Sequence, residues 1–261
     1  MRASDAFGVH RGKTIATMTD AELAAHLGDI AGRILKDVRE SGMFEGQALG
    51  MAGDQTANQF LVHALRARRP EDGLLSEECK DTPARLAKSR VWIVDPVDGT
   101  REYGEARPDW AVHVALCIDG RPEIGAVALP DAGLVLRSDA PAPLPAAPAR
   151  PRMVVSRSRP PAEAAEVAAA IGAELVPMGS AGAKAMAVVR GDAEIYLHSG
   201  GQYEWDSAAP AAVALAHGLH ASRLDGSALV YNQPDTWMPD LLICRSEWAG
   251  PVLAEVAKLA V

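Results

Sequence analysis

The chain has 261 residues, of which 48% are hydrophobic and 23% are charged, and its formal net charge is −8 at pH 7. This length allows one large domain or two closely packed halves. The negative charge argues against a general nucleic-acid binder, because such proteins normally present a basic patch. It does not exclude a phosphorylated small substrate, since bound metal ions can supply the missing positive charge.

Cysteine usage and apolar patterning give further exclusions. Cys79, Cys117 and Cys244 are far apart and form no CxxC pair, so neither a disulfide framework nor a zinc site is predicted. Met1–Thr17 has charged residues but no apolar core, and we do not expect it to be a signal peptide. No stretch is long and apolar enough to cross a bilayer. These features predict a cytoplasmic protein without nucleic-acid or membrane partners.

The first half of the chain begins with helical patterns and continues with short apolar runs. Thr-Asp-Ala-Glu at 19–22 is a capping box, which predicts that a helix starts there. A second helix is predicted from about Asp54 to Arg69, before Pro70. Buried strands are predicted at 74–76, 91–94, 110–118, 124–129 and 134–137, with an Asp119-Gly120 turn between the third and fourth.

A segment rich in Pro and Ala, 139–151, predicts an internal boundary between an N-terminal half, 1–138, and a C-terminal half, 152–261. In the second half, strands at 153–156, 174–178, 193–197 and 241–244 alternate with helices at 161–171, 181–189, 207–217 and 248–260. This order predicts an α+β or layered α/β fold, in which an antiparallel-rich sheet precedes a helix-flanked sheet.

The most informative segment is Asp95-Pro96-Val97-Asp98-Gly99-Thr100, at the end of the strand predicted at 91–94. Two carboxylates three residues apart can face one cation, and Gly99 allows a ligand to approach the backbone closely. The N–H groups of Gly99 and Thr100 can face an anion at the start of a helix. Phosphate-ester hydrolysis requires a metal ion beside an anion-binding site. The same residue types also form ordinary turns, so this segment alone leaves both interpretations open.

Two further acidic groups lie at the ends of predicted elements. Glu77-Glu78 follows the strand predicted at 74–76, and Asp206 lies where the helix predicted at 207–217 begins. Each also has a purely structural interpretation, as solvated loop charge for the glutamates and as a helix N-cap for Asp206.

Together these motifs resemble the lithium-sensitive, magnesium-dependent phosphomonoesterase superfamily, which includes inositol monophosphatases, fructose bisphosphatases and 3′(2′),5′-bisphosphate nucleotidases. The resemblance rests on Leu75-Ser76-Glu77-Glu78, on residues 92–100 and on Trp205-Asp206-Ser207-Ala208-Ala209, in family order and at family-like spacing. It extends from about Thr19 to the C-terminus. It implies a sandwich of alternating helix and sheet layers and two or three Mg²⁺ ions, and a homodimer is compatible with it.

The resemblance also implies a role for each matching residue. Its metal ligands are the carboxylates of Glu77, Asp95, Asp98 and Asp206 and the carbonyl oxygen of Val97. Gly99 and Thr100 would bind the scissile phosphate, and Asp54 would pair with Thr100 to orient the attacking water. At Asp54 the chain departs from the family, because Gly50-Met51-Ala52-Gly53-Asp54 stands where the family usually has Val-Thr-x-x-Asp.

Two motifs bear on the substrate. Ser199 stands where inositol monophosphatases have the glutamate that binds ring hydroxyls. Thr100-Arg101-Glu102-Tyr103 and the run from Gly179 to Lys184 are similar to CysQ-type nucleotidases. The resemblance therefore favours hydrolysis of 3′-phosphoadenosine 5′-phosphate to AMP and phosphate, a reaction of sulfur assimilation.

Three residues are predicted to bind the substrate beyond the scissile phosphate, namely Arg101, Ser180 and Lys184. Lys184 would contact the second phosphate, although an exposed helix lysine is the alternative interpretation. The segment Ser156-Arg157-Ser158 either binds an anion or forms a polar loop.

Inositol 1-phosphate and fructose 1,6-bisphosphate remain alternative substrates. A non-catalytic module that binds a metabolite is the alternative of another class. The complete set of four carboxylates favours an enzyme.

Overall fold

Seven α-helices and ten β-strands form alternating layers in residues 17–259, the part of the chain that the computed structural model describes. We expect Met1–Thr17 not to be a signal peptide, and of these residues only Thr17 lies within the described part of the chain. The helices are α1 (Asp20–Glu40), α2 (Gly46–Arg68), α3 (Thr100–Gly104), α4 (Ala164–Ile171), α5 (Ala181–Arg190), α6 (Glu204–Ala216) and α7 (Ser246–Leu259). None of these described helices has the length and hydropathy that crossing a bilayer demands.

The first sheet has the order β1-β2-β3-β4-β5 and is antiparallel except for the parallel pair β1–β2. Its strands are β1 (Gly73–Ser76), β2 (Arg90–Asp98), β3 (Ala111–Ile118), β4 (Arg121–Leu129) and β5 (Leu134–Arg137). Asp119 and Gly120, both with positive φ, form the predicted turn between β3 and β4. The prediction of an antiparallel-rich first sheet is therefore confirmed.

The second sheet has the order β7-β6-β8-β10-β9, with β7, β6 and β8 parallel and β8, β10 and β9 antiparallel. Its strands are β6 (Arg152–Ser156), β7 (Glu174–Met178), β8 (Ile195–Tyr203), β9 (His220–Ser222) and β10 (Trp237–Cys244). The short β9 was not predicted, and the prediction that β8 ends at Leu197 was wrong. The polar and glycine residues 198–202 hide the continuing strand, which pairs with β10 as far as Tyr203.

Three hydrophobic clusters separate the layers. One lies between the first sheet and α1 with α2, a second between the two sheets around α5 and α6, and a third between the second sheet and α4 with α7. The layer order is thus helix, sheet, helix, sheet, helix, which confirms the predicted layered α/β class. The division of the chain at 139–151 stays a prediction. This segment has no helix or strand, yet the middle cluster contains residues from both sides of it.

The helix α1 begins as predicted, and α2 does not. Thr19 and Glu22 form both hydrogen bonds of the capping box. The start predicted for α2 at about Asp54 was wrong, because the helix begins at Gly46 and runs through two glycines. A Cβ at Gly50 would lie 2.7 Å from Thr100 Cγ2, and one at Gly53 would lie 2.6 Å from Tyr103 Cε1. Glycine therefore lets α2 pack closely against α3, although its low helix propensity hides the first two turns.

Alanine and glycine also bring α6 close to the first sheet. The buried alanines of α6 are Ala208, Ala209, Ala211, Ala212 and Ala214. On the facing strand, a Cβ at Gly125 would lie 2.5 Å from the carbonyl oxygen of Ala209. The N-terminus of α6 consequently lies at the end of β2, where the acidic motif is found.

Candidate active site

Carboxylates from two elements converge between the sheets. Asp95 and Asp98 lie at the end of β2, and Asp206 is the third residue of α6. One carboxylate oxygen from each lies within 4.8 Å of the others, so the three can hold a metal ion together. Oxygen ligands of this kind suit Mg²⁺.

The alternation of β2 explains why Asp95 points into the site. Trp92 and Val94 pack towards α1 and α2, whereas Val91 and Ile93 pack towards the middle layer. Asp95 follows Val91 and Ile93 in this alternation, so its side chain also points towards the middle layer. An irregularity in the pairing with β3 follows between Asp95 and Asp98, and such irregularities redirect side chains near active sites.

Glu77 joins the cluster from the end of β1. Although Glu77 as a residue is exposed, its carboxylate lies within hydrogen-bonding reach of the buried Asp95. Removal of this carboxylate from water and the negative charge of Asp206 raise the pKa of Glu77 to about 8. The sequence-predicted carboxylates Glu77, Asp95 and Asp206 therefore lie together.

The electrostatics of this cluster fit a divalent cation. Burial and the charges of Glu77 and Asp98 raise the pKa of Asp95 well above its ordinary value. Burial and Asp98 raise the pKa of Asp206 to about 6. Buried carboxylates that repel one another in this way need a counter-charge. Within residues 17–259 no lysine or arginine is hydrogen-bonded to Asp95 or Asp206, and Mg²⁺ would provide that charge.

Asp98 differs from its neighbours because three hydrogen-bond donors and the His113 ring surround it. It accepts hydrogen bonds from the Ser180 hydroxyl, from Ala181 N at 3.0 Å and from Gly182 N at 2.6 Å. His113 Nε2 lies 3.2 Å from Asp98 Oδ2. Burial favours a higher pKa for Asp98, but His113, Ser180 and Lys184 outweigh it and lower this pKa to about 2. Asp98 therefore anchors the N-terminus of α5 to the end of β2.

The loop before α5 has an unusual backbone. Ser180 caps α5 by accepting a hydrogen bond from Ala183 N at 3.0 Å, and it does so with φ 50° and ψ 141°. Such values are sparsely populated for a residue with a Cβ and are found at functional sites. Gly99, with φ 87°, lies against this loop, since a Cβ there would lie 3.0 Å from Ser180 Cβ. Two residues predicted to bind substrate, Gly99 and Ser180, thus face each other.

Thr100 connects Asp54 with the end of β2. Its Oγ1 lies 3.1 Å from the Val97 carbonyl oxygen and 3.5 Å from Asp54 Oδ1. Burial and the charge of Glu78 raise the pKa of Asp54 to about 7. The departure from the family pattern before Asp54 has a packing explanation, because Gly50 and Gly53 are the positions that contact α3.

Lys184 is buried rather than exposed, so the interpretation as an exposed helix lysine was wrong. Its ammonium donates to the carbonyl oxygens of Gly179 and Ser180 and lies 5.2 Å from the centre of the Tyr196 ring. Burial lowers the pKa of Lys184 to about 8, although nearby carboxylates oppose this shift. Arg101 is mostly exposed, and its Nε lies 3.4 Å from Glu105 Oε1. Contacts of Lys184 and Arg101 with a substrate remain predictions.

A cavity of about 260 Å³ lies between the segment before α4 and the second half of β8. It is lined by Arg159, Pro160, Pro161 and Ala162 and by His198, Ser199, Gly200 and Gly201. His198 Nε2 lies 3.0 Å from the Gly201 carbonyl oxygen. Burial, together with the positive charges of Lys184 and Arg159, lowers the pKa of His198. Ser199, at the position of the polyol-binding glutamate, faces the same cavity.

Sequence reasoning missed two contacts of the site. His113 lies within an apolar run, and only its position in the middle of a buried strand marks it as unusual. Its Nδ1 lies 3.0 Å from the Trp205 carbonyl oxygen, which places it between Asp98 and the segment that carries Asp206. The second is Arg157, whose Nε lies 2.7 Å from Glu102 Oε1 and whose Nη2 lies 2.6 Å from Glu105 Oε2. These ion pairs hold Arg157 against carboxylates of the protein itself, and anion binding by Ser156-Arg157-Ser158 stays a prediction.

Comparison with known proteins agrees with this geometry. The model of the inositol monophosphatase family matches residues 17–141 and 148–259. The chain belongs to the inositol monophosphatase family. A protein of Mycobacterium leprae named 3′-phosphoadenosine 5′-phosphate phosphatase is 52% identical over 258 residues, which cover 93% of this chain and 95% of that protein. The 3′(2′),5′-bisphosphate nucleotidase CysQ of Escherichia coli is 30% identical over 201 residues, which cover 72% of this chain and 81% of that protein.

Solved structures of the inositol monophosphatase family share the fold. CysQ from Bacteroides thetaiotaomicron has a TM-score of 0.73 at 24% identity and covers 85% of this chain and 96% of its own. Staphylococcal IMPase-II has a TM-score of 0.75 at 21% identity and covers 93% of this chain and 97% of its own. At these identities the likeness supports the fold alone.

Proposed function

We propose that this protein is a Mg²⁺-dependent phosphomonoesterase that removes the 3′-phosphate of 3′-phosphoadenosine 5′-phosphate and produces AMP. The convergence of Asp95, Asp98 and Asp206 within 4.8 Å carries the proposal for the reaction class. The 52% identity with the Mycobacterium leprae phosphatase, over 93% of this chain, supports the choice of substrate.

Each residue of the site has a role in this proposal. Glu77, Asp95, Asp98, Asp206 and the Val97 carbonyl oxygen would hold two or three Mg²⁺ ions. When bound, these ions supply Lewis-acid chemistry that activates water and neutralises phosphate charge. Gly99 and Thr100 would bind the scissile phosphate through N–H groups at the start of α3. Asp54 Oδ1 lies 3.5 Å from Thr100 Oγ1, and the two side chains together would orient the attacking water, whose proton the Asp54 carboxylate would accept.

The cavity lined by Arg159 and Ser199 suits the second phosphate of this substrate. Arg159 lines it, and the charge of the buried Lys184 reaches His198 on its wall. Positive charge close to a partly enclosed cavity attracts a phosphate dianion. Ser199 offers a hydroxyl here instead of the carboxylate that would accept from ring hydroxyls and repel a phosphate. This difference favours a bisphosphorylated nucleoside over inositol 1-phosphate.

Phosphate release from a substrate panel tests the proposal. With Mg²⁺ we expect kcat/KM for 3′-phosphoadenosine 5′-phosphate to exceed that for inositol 1-phosphate and fructose 1,6-bisphosphate by at least about tenfold, or about 1.4 kcal/mol of transition-state binding. The same panel without Mg²⁺ is the control. Equal efficiency on all substrates would leave a general phosphomonoesterase, and no Mg²⁺-dependent release from any of them would favour the metabolite-binding module.

The cytoplasmic location, the homodimer and the number of metal ions remain predictions. Light scattering coupled to size-exclusion chromatography measures the oligomer, and the stoichiometry of Mg²⁺ binding distinguishes two ions from three.

A further inference from the structure

The middle of the segment between β1 and β2 is anchored through one buried side chain. This connection follows Glu77 and contains a short 3₁₀ helix, Pro83–Ala87. From Glu77 to Arg90, Arg85 is the only buried residue, and it is 2% exposed. The start of the segment is held by Glu77 N, which donates to the Val94 carbonyl oxygen at 3.3 Å, and by Cys79, whose Sγ lies 3.5 Å from Asn58 Nδ2. Beyond Cys79 the position of the segment depends on what Arg85 binds.

The Arg85 guanidinium bridges two distant parts of the chain. Its Nε and Nη2 donate to the two carboxylate oxygens of Asp81, each at 2.8 Å. Its Nη1 donates to Asn232 Oδ1 at 2.8 Å, and its Nη2 donates to the Gln233 carbonyl oxygen at 2.9 Å. Asn232 Nδ2 donates back to the Arg85 carbonyl oxygen at 3.3 Å. A planar, buried guanidinium with several partners fixes geometry better than a flexible surface ion pair.

The opposite side of the Asn232–Gln233 segment is held by the helix that carries Asp206. Glu204, the first residue of α6, is 1% exposed. Its carboxylate accepts hydrogen bonds from Asn232 N at 2.8 Å and from Gln233 N at 2.7 Å. The contacts of Arg85 and Glu204 therefore connect the segment after Glu77 with the start of α6.

We propose that Arg85 is a positioning residue that sets the distance between Glu77 and Asp206 and thereby the affinity of the site for its metal ions. The inference rests on the metal part of the proposed function. Glu77 and Asp206 carry like charges and act on each other electrostatically. Repulsion alone would move the exposed Glu77 segment away from the buried site, and the Arg85 contacts oppose this movement. The partners that orient metal ligands typically change metal affinity by about 10- to 100-fold when they are removed.

Two variants weaken this connection to different degrees. Arg85→Gln removes the guanidinium and its bridge. Asn232→Gly removes one acceptor and one donor without straining the backbone, because Asn232 has φ 60° and glycine adopts that conformation freely. Arg137→Gln is the matched control, since Arg137 also binds a carboxylate through two nitrogens, in Asp139, but lies on the far edge strand of the first sheet.

Calorimetric titration of the metal-free protein with Mg²⁺ alone gives a readout that is independent of activity. We expect Arg85→Gln to raise the Kd for Mg²⁺ by at least about tenfold, Asn232→Gly to raise it by a smaller factor, and Arg137→Gln to leave it unchanged. Hydrogen exchange of residues 77–89 should become faster in the first two variants only. At saturating Mg²⁺, KM for the substrate should stay close to that of the wild type.

The outcomes separate this inference from the proposed function. An unchanged Kd in Arg85→Gln with the circular dichroism spectrum of the wild type would overturn it. If Arg85→Gln does not fold, an unchanged Kd and unchanged exchange in Asn232→Gly would overturn it equally. Wild-type protein that binds no Mg²⁺ would refute the metal part of the proposed function and the role of Arg85 with it. Wild-type protein that binds Mg²⁺ but does not hydrolyse the nucleotide would refute the substrate alone.

Discussion

Asp95 and Asp98 are three residues apart in one motif, yet their surroundings differ. Burial and neighbouring carboxylates raise the pKa of Asp95. Asp98 accepts from a hydroxyl and two backbone N–H groups beside His113, and its pKa is lowered to about 2. The carboxylate of Asp95 needs a cation, whereas the protein itself already stabilises the charged form of Asp98. The motif indicates both ligands but does not show this difference, because the donors to Asp98 come from α5.

Asp95→Asn should abolish most of the activity and still fold. It removes one ligand charge at nearly constant volume, so we expect kcat to fall by at least about a thousandfold, or about 4 kcal/mol. Because it also relieves repulsion, the metal-free variant should melt at a higher temperature than the metal-free wild type. Steady-state kinetics and calorimetry measure both effects. Near-normal Mg²⁺-dependent turnover in the folded variant would contradict the metal assignment.

Asp54→Asn should act on the chemical step. If Asp54 orients the water through its pairing with Thr100, kcat should fall by about a hundredfold or more while KM changes little. Asp139→Asn, at an exposed ion pair, is the control and should alter neither constant. A change confined to KM would make Asp54 a binding residue.

At the scale of elements, the patterns that depend on local chemistry predicted the structure best. The capping box located the start of α1, and alternating apolar runs located most strands. The failures occur where tertiary contacts override propensity. The first turns of α2 contain Gly46, Gly50 and Gly53, which argue against a helix until the close approach of Thr100 and Tyr103 is known. His113 and Arg85 were missed for a similar reason, because their partners are distant in the sequence.

Two helix glycines should respond oppositely to alanine. A Cβ at Gly53 would lie 2.6 Å from the buried Tyr103 ring, so Gly53→Ala should lower the free energy of unfolding by about 1–3 kcal/mol through overpacking. A Cβ at Gly28 in α1 would meet only Ala128 Cβ, at the ordinary contact distance of 3.6 Å, so Gly28→Ala should raise that free energy by up to about 1 kcal/mol. Denaturant titration measures both. Stabilisation by Gly53→Ala would show that α2 and α3 are not closely packed.

At the scale of the whole molecule, the site lies between two sheets and draws its acidic groups from both halves of the chain. Glu77 and Asp95 extend from the first sheet, and Asp206 belongs to the helix layer that separates the sheets. The layered fold class follows from the order of predicted elements. The order of elements does not predict that these carboxylates converge, because their convergence depends on how α6 packs on β4. Only the family resemblance indicated it. Metal-free protein must tolerate the resulting repulsion.

The stability of the metal-free protein should therefore fall as pH rises. Glu77 titrates near 8 and Asp206 near 6 in the folded protein, above their ordinary values of 4.5 and 3.8. At pH values between the ordinary pKa and the raised pKa of each group, the folded state binds more protons than the unfolded state. Raising the pH therefore favours unfolding. With a chelator, we expect the melting temperature to decrease from pH 5 to pH 8.

Saturating Mg²⁺ should remove most of this dependence, because it replaces the bound protons. Glu77→Gln is the control and should weaken the slope without metal. A metal-free melting temperature that increases towards pH 8 would show that these carboxylates are not held together in the folded protein.

The position of Asp206 and Ser180 in the last third of the chain also has a consequence during biosynthesis. The ribosome delivers Glu77, Asp95 and Asp98 first, and α5 and α6 follow much later. Until those helices dock, the end of β2 has neither its third carboxylate nor the donors that neutralise Asp98. A nascent or truncated chain is consequently inert towards cellular phosphate esters, and hydrolytic competence arises only when synthesis and folding are nearly complete.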